Sequence, residues 1–303
     1  MDLAPAGTPA GGEIGRGWTV SRAAGAVRWL RRQRLAFLIA AGILLLHVGV
    51  ALTGPVWAPY PPDELLVGDP FKSPSREHLF GTDNFGRDVF SRVVYGERTV
   101  LSLSLTAAGL AVVAGSALGL LMAYVRGWLD EVVMRGVDVV LTIPPLILSL
   151  LILGGVGASY PVIIATVAFF FAARVATVIR AAALDVVSED FVTAARLRGE
   201  SAASIARREL LPNVTSSMLV EFSLRTGYSV LFIAGLSFLG FGSAPPTPDW
   251  GLMINEGRSY ISSSPWLVLG PSLALASLVV ALSLFTDGIS DALGLSPFRR
   301  AKA

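Results

Sequence analysis

The chain has no cysteine and only two histidines, His47 and His78, in 303 residues. The first absence excludes disulfides and thiolate chemistry. The second argues against a His/Cys-rich metal site. Lysine is nearly missing as well. Lys72 sits in PFKSP and Lys302 in RAKA, and neither fits the Gly-x-x-x-x-Gly-Lys-Ser/Thr loop of an ATP-hydrolysing domain. Charged residues make up 15% of the chain, against about 25% in a typical soluble domain. The net charge is only +2, which gives no reason to expect a nucleic-acid partner. What the chain has instead is apolar sequence, 53% of its residues, gathered in runs near the roughly 20 residues that cross a bilayer. This is the composition of an all-α polytopic membrane protein, not of a soluble enzyme.

Six apolar runs predict six transmembrane helices, at about 35–53, 99–124, 132–155, 161–183, 214–241 and 266–286. The first is too long, and follows too long a polar segment, for a cleaved signal peptide. Six spans put both termini on one side, together with 125–131 and 184–213. That side carries more than twice the Lys and Arg of the other, so the positive-inside rule makes both termini and the 184–213 loop cytoplasmic. The predicted organisation is a cytoplasmic N-terminal tail (1–34), Gly/Ala/Pro-rich and without structure at first, then basic. A first transmembrane helix and a long extracytoplasmic segment follow (35–98). Next come a five-helix core (99–286) and a cytoplasmic C-terminal tail (287–303).

Several features inside the runs are open to two readings. His47 reads as a hydrogen-bonded structural histidine ahead of a ligand. Glu221 and Arg225 stand four residues apart, in the order that favours an intrahelical pair, and read as an interfacial anchor before a pathway element. Ala111, Gly115 and Gly119 recur every four residues, which lets helix backbones approach closely in lipid. Pro144-Pro145 and Gly270-Pro271 predict bends, serving packing or shaping a path.

The one long polar segment deep in the chain is residues 184–213, LDVVSEDFVTAARLRGESAASIARRELLPN. Helical residues run up to Gly199, whose freedom to adopt a left-handed conformation ends the first helix. A second short helix follows, with Pro212 marking its end. By residue type this is either an ordinary loop with a turn glycine or a docking element. Its Ala194, Ala195, Gly199, Ile205, Leu211 and Pro212 resemble the loop signature of ABC importer permeases, Ala-Ala-x-x-x-Gly followed by an apolar residue and Leu-Pro. That family often has an acid before the two alanines; here the residue is Thr193.

On the other side, residues 78–98 read HLFGTDNFGRDVFSRVVYGER. Gly81-Thr82-Asp83 predicts a turn with a side-chain cap. Asp88 either caps a helix or pairs with Arg92 one turn on. The string with Gly81, Thr82, Asp83, Gly86, Arg87 and Asp88 resembles the dipeptide, oligopeptide and nickel permeases, specifically their second, C-type subunit; Phe80 stands where leucine is usual. Pro248-Asp249-Trp250-Gly251, Asp287-Gly288 and Asp291-Ala292-Leu293 resemble later segments of the same family, over roughly residues 30–298.

The resemblance implies a type I ABC importer permease fold in a bacterial or archaeal plasma membrane. It implies a homologous second permease subunit, two cytoplasmic ATPases that bind the ATP and Mg this chain does not, and an extracytoplasmic substrate-binding protein. The 184–213 loop would transmit ATPase closure to the spans. Peptides are the default substrate. The alternative is an ion-coupled secondary transporter, which needs intramembrane carboxylates such as Glu221 or Asp138. A non-transporting scaffold or sensor has no sensing domain to support it.

Overall fold

The computed structural model describes residues 14–242 and 246–294, with side chains from residue 35 onward. The described part is almost entirely helical, and five helices are each long and apolar enough to span a membrane. They are α1 (Ile14–Trp57), α2 (Val89–Val125), α5 (Tyr160–Val187), the rod that ends in α8 (Leu211–Leu236) and α10 (Trp266–Ala292). A sixth candidate is a bent pair, α3 (Gly127–Thr142) and α4 (Pro145–Val156), turned by 87°. The bend falls at Ile143-Pro144, where Pro145 forces its predecessor out of the helical region (Pro144 ψ 116).

The bent pair completes a crossing, and the packing of α2 on α5 shows why. A Cβ on Gly115 would lie 2.5 Å from Ala172 O and 2.7 Å from Val175 Cβ; on Gly119 it would lie 2.7 Å from Ala176 O. Four residues along α2 therefore match four along α5, so the two helices run parallel in backbone contact. The chain leaves α2 at one end of the bundle and must begin α5 at the other. Only α3 and α4 lie between. Asp130 near the start of α3 bonds Arg180 in the last third of α5 (2.6 Å), while Leu153 near the end of α4 packs on Ile163 and Val167 in the first turns of α5.

α8 runs antiparallel to both: Val214 packs with Val187, and Ile233 with Ile163. α10 returns beside α8, with Leu282 against Gly227. α1 lies outside, antiparallel to α10; Phe37 stacks on Phe285 and His47 meets Ser277. The start of the described α1 side chains, the end of α10 and residues 188–210 thus share one end of the bundle.

Several boundaries differ from expectation. Residues 14–34, assigned to the tail, are the first turns of α1; residues 1–13 lie outside the described residues. α2 begins ten residues early, at Val89, because Asp88 caps it. α10 runs on to Ala292, so the first residues assigned to the C-terminal tail are helical. Pro212 does not end a helix. It opens α8, and α7 (Ala202–Ile205), a wide π turn (Ala206–Leu210) and α8 keep helical backbone angles as one rod. Proline has no N–H for the carbonyl of Arg208 and its ring excludes that oxygen; the wide turn absorbs the misfit.

Candidate functional site

At the end of the bundle shared by α1 and α10, α6 (Asp190–Leu197) crosses the mouth of the helices. Its last turn closes with two bonds. The N–H of Glu200 donates to Ala195 O (3.2 Å) and the N–H of Gly199 to Arg196 O (2.9 Å). Gly199 has φ +77 with nothing within 4 Å of where a Cβ would stand. Its glycine is required by backbone conformation, not by space. Ser201 caps the rod, its Oγ accepting the N–H of Ser204. Between them, the Glu200 carboxylate accepts from Arg198 Nη2 at 2.7 Å and from Ser204 Oγ at 3.0 Å. These bonds hold the Glu200 carboxyl below its ordinary pKa.

The inner face of α6 is fixed. Val192, Ala195, Ile205, Leu210 and Val214 form one core with Val187 of α5 and Leu120 and Ala123 of α2. The Arg196 guanidinium sits 4.8 Å over the ring of Tyr124, at the end of α2. The outer face is apolar and, among the described residues, uncovered. Phe191 is 42% and Leu197 85% exposed, with exposed Ala194 between them at three-residue steps. The predicted pair of alanines is therefore divided. Ala194 faces outward, whereas Ala195 is buried and lets α6 approach its own core. Ile205 is buried, Leu211 half-buried and Pro212 exposed.

At the opposite end, residues 58–88 fold back on the start of α2. Asp83 is the hub. Its Oδ1 accepts the N–H groups of Phe85 (2.8 Å) and Arg87 (3.0 Å), the side-chain-capped turn expected at this position. Its Oδ2 accepts from Arg87 Nε (2.6 Å) and Arg92 Nη1 (3.2 Å). Glu256, on α9 (Trp250–Arg258), stands 3.5 Å from Arg87 and 3.7 Å from Arg92, so two arginines face two acids. Asp88 does not pair with Arg92. It accepts the Ser91 N–H as the α2 cap (2.7 Å) and bonds buried His78 at 2.9 Å.

The glycines of this element serve close approach: a Cβ on Gly81 (φ +71) would strike Lys72 O, and one on Gly86 (φ +69) would strike Gly68 O. Thr82 Oγ1 donates to Asp69 O and accepts from the N–H of Lys72. Asp249 caps α9, and Trp250, fully buried, donates from its indole N–H to Val93 O at 2.9 Å.

Besides Asp130–Arg180, two polar pairs among the described residues lie within the spans. Glu221 and Arg225 pair at 2.9 Å, as their spacing predicts, but both are buried and Arg225 lies over Tyr228. They are an internal pair, not an interfacial anchor. His47 bonds Glu97 and Ser277, as a structural histidine would. Glu97 escaped the sequence reading because residues 89–98 were placed outside the membrane. The signal that finds it is Asp88 read as a helix cap.

Residues 115–296 match the family described as binding-protein-dependent transport system inner membrane component, and the chain belongs to that family. It is thus a permease component of an ABC importer, situated in the inner membrane. Among its relatives is a glutathione transport system permease protein, GsiD, of Pectobacterium atrosepticum, 35% identical over 88% of this chain and 89% of that one. The GsiD protein of Escherichia coli O6:K15:H31 is 37% identical over 88% of each. A protein of Brucella suis carrying the name "Putative peptide transport system permease protein" is 36% identical over 88% of this chain and 89% of its own.

Proposed function

We propose that this chain is the C-type permease subunit of a peptide importer. It pairs with a homologous permease, receives substrate from an extracytoplasmic binding protein and is driven by two cytoplasmic ATPases that supply the ATP and Mg site. The observation that carries this reading is the half-fixed state of α6. One face is locked into the core of α2, α5 and the α7–α8 rod, while Phe191, Ala194 and Leu197 offer an apolar ridge that nothing among the described residues covers. A ridge so held transmits force, because displacing it displaces the roots of three spans together. The end bearing α6 is then cytoplasmic, in line with the Lys and Arg distribution. The peptide substrate class is taken from what the relatives are named for.

The ion-coupled alternative draws less support. Glu221 is neutralised by Arg225, and Asp138 is exposed on the outer side of α3. The decisive experiment is mild-detergent purification of the tagged chain, with ATP-dependent uptake of dipeptides into vesicles. Two ATPase copies, a second permease and ATP-driven uptake are expected. A chain that emerges alone after crosslinking, with uptake driven by an ion gradient, overturns the proposal. Reporter fusions that place residues 184–213 outside would overturn the orientation.

A further inference from the structure

A cavity lies at the end opposite α6, where α2 and α5 begin. It holds about 530 Å³, within the range of about 300–1,000 Å³ typical of small-molecule sites. One wall is a single face of α2, made of Tyr95, Arg98, Thr99, Ser102 and Leu103, spaced three and four apart. The other face of the same turns is spent on the interior, where Gly96 lies under the Trp250 ring and Glu97 on His47. Tyr160 closes the cavity from the first turn of α5, and Asp63 from the 58–88 segment.

Two charges of opposite sign thus line one cavity from different elements. Arg98 and Asp63 are both exposed to solvent at the open cavity, and neither has an ion pair or side-chain hydrogen bond among the described residues. The neighbouring Asp83, Arg87 and Arg92 are buried and pair with one another and with Glu256, whereas Arg98 and Asp63 keep their charged ends free at the cavity surface. A guanidinium presents a planar fork of donors suited to a carboxylate. Asp63 offers acceptors to an ammonium, and the hydroxyl of Thr99 adds a polar contact along the wall, while Ser102 Oγ already donates to Thr99 O at 3.1 Å. A ligand with one charge leaves the other wall residue to solvent. A ligand with both answers each.

We propose that this cavity is a landing subsite for small zwitterions with a free ammonium and a free carboxylate, as an unblocked short peptide has, with Arg98 receiving the carboxylate and Asp63 the ammonium. The proposal rests on the importer reading only for the direction from which the ligand arrives.

The test is photolabelling of inside-out and right-side-out vesicles carrying the assembled transporter, with alanyl-photoleucine as probe and peptide mapping of the label. Label is expected on residues 95–103 from the α2-start side of the membrane. It should be displaced by dialanine, and weakly by dialanine amide or N-acetyldialanine. Arg98→Gln should lower labelling about tenfold, the size of one lost charge-assisted contact, and abolish the preference for dialanine over its amide. Asp63→Asn should abolish the preference over the acetylated form alone. A misfolded variant would lose label without this exchange of preferences, and the unmodified chain still decides the matter by competition. Blocked and free dialanine competing equally, or label confined to other segments, overturns the subsite. ATP-driven dipeptide uptake is measured on the same vesicles. Label without uptake overturns the importer reading and leaves the subsite standing; uptake without label at 95–103 does the reverse.

Discussion

His47 and Glu97 join α1 to the body of the protein: Nδ1 of the imidazole lies 2.9 Å from the carboxylate of α2, both side chains at least nine-tenths buried. The second ring nitrogen reaches Ser277 of α10 at 3.1 Å. α1 otherwise shows much of its apolar surface outward, including Leu38, Leu45 and Leu52. His47→Ala leaves a buried carboxylate alone and should destabilise the purified subunit by about 3 kcal/mol. Glu97→Gln, which keeps a hydrogen-bonding group, should lose less, and the pair His47→Phe with Glu97→Leu should recover part of the loss. Thermal unfolding in detergent checks the order.

Gly115 should tolerate no side chain. The atoms a methyl group would meet are the carbonyl of Ala172 and the Cβ of Val175, neither of which swings away. Gly115→Ala should destabilise by about 1–3 kcal/mol, the usual consequence of overpacking. Gly109→Ala, with only Phe222 at 4.0 Å, should be near neutral. Paired melting curves separate the two.

Asp83 answers two arginines at once. Asp83→Ala leaves Arg87 and Arg92 with Glu256 alone, so a loss of about 3–5 kcal/mol is expected, as for other broken buried pairs. Limited proteolysis within residues 58–88 should become faster, while α6, at the far end, stays protected.

Gly199→Val should lower ATP-driven uptake with the chain still inserted. A left-handed conformation costs an ordinary residue about 1–2 kcal/mol, more when β-branched, so the α6 closure opens. Gly199→Asn, which enters that region more readily, should keep most of the uptake. Equal uptake in both variants would remove Gly199 from the coupling.

The spans, the Gly199 closure and the Asp83 turn were legible because each rests on local rules: run length, a required positive φ, an Asx turn. The glycine spacing in α2 announced close packing but not its partner, since the parallel match with α5 exists only in three dimensions. The proline pair announced a bend, and the structure supplies its size. Pro212 was misread because a proline stops a helix or starts one by the same missing N–H. The following apolar run decides which. Ala194 and Ala195 could not be told apart by type; only the phase of α6 against Val192 separates them. Asp83, Arg87 and Arg92 were visible in the 78–98 segment, but Glu256 was not singled out, because its place in their assembly joins residues far apart in the chain.

The rod from Ala202 to Leu236 links the ridge at one mouth to the Asp249 cap at the other through Ser237, which donates to that cap at 2.9 Å. No loop interrupts it. Inserting or deleting one residue between Pro212 and Ile233 rotates everything beyond by about 100°, turning Ile233 out of the core and breaking the phase between the two mouths. The protein's tolerance of length change should therefore be sharply uneven: the exposed turn at residues 61–65 can absorb an extra residue, whereas the rod admits substitutions but no indels.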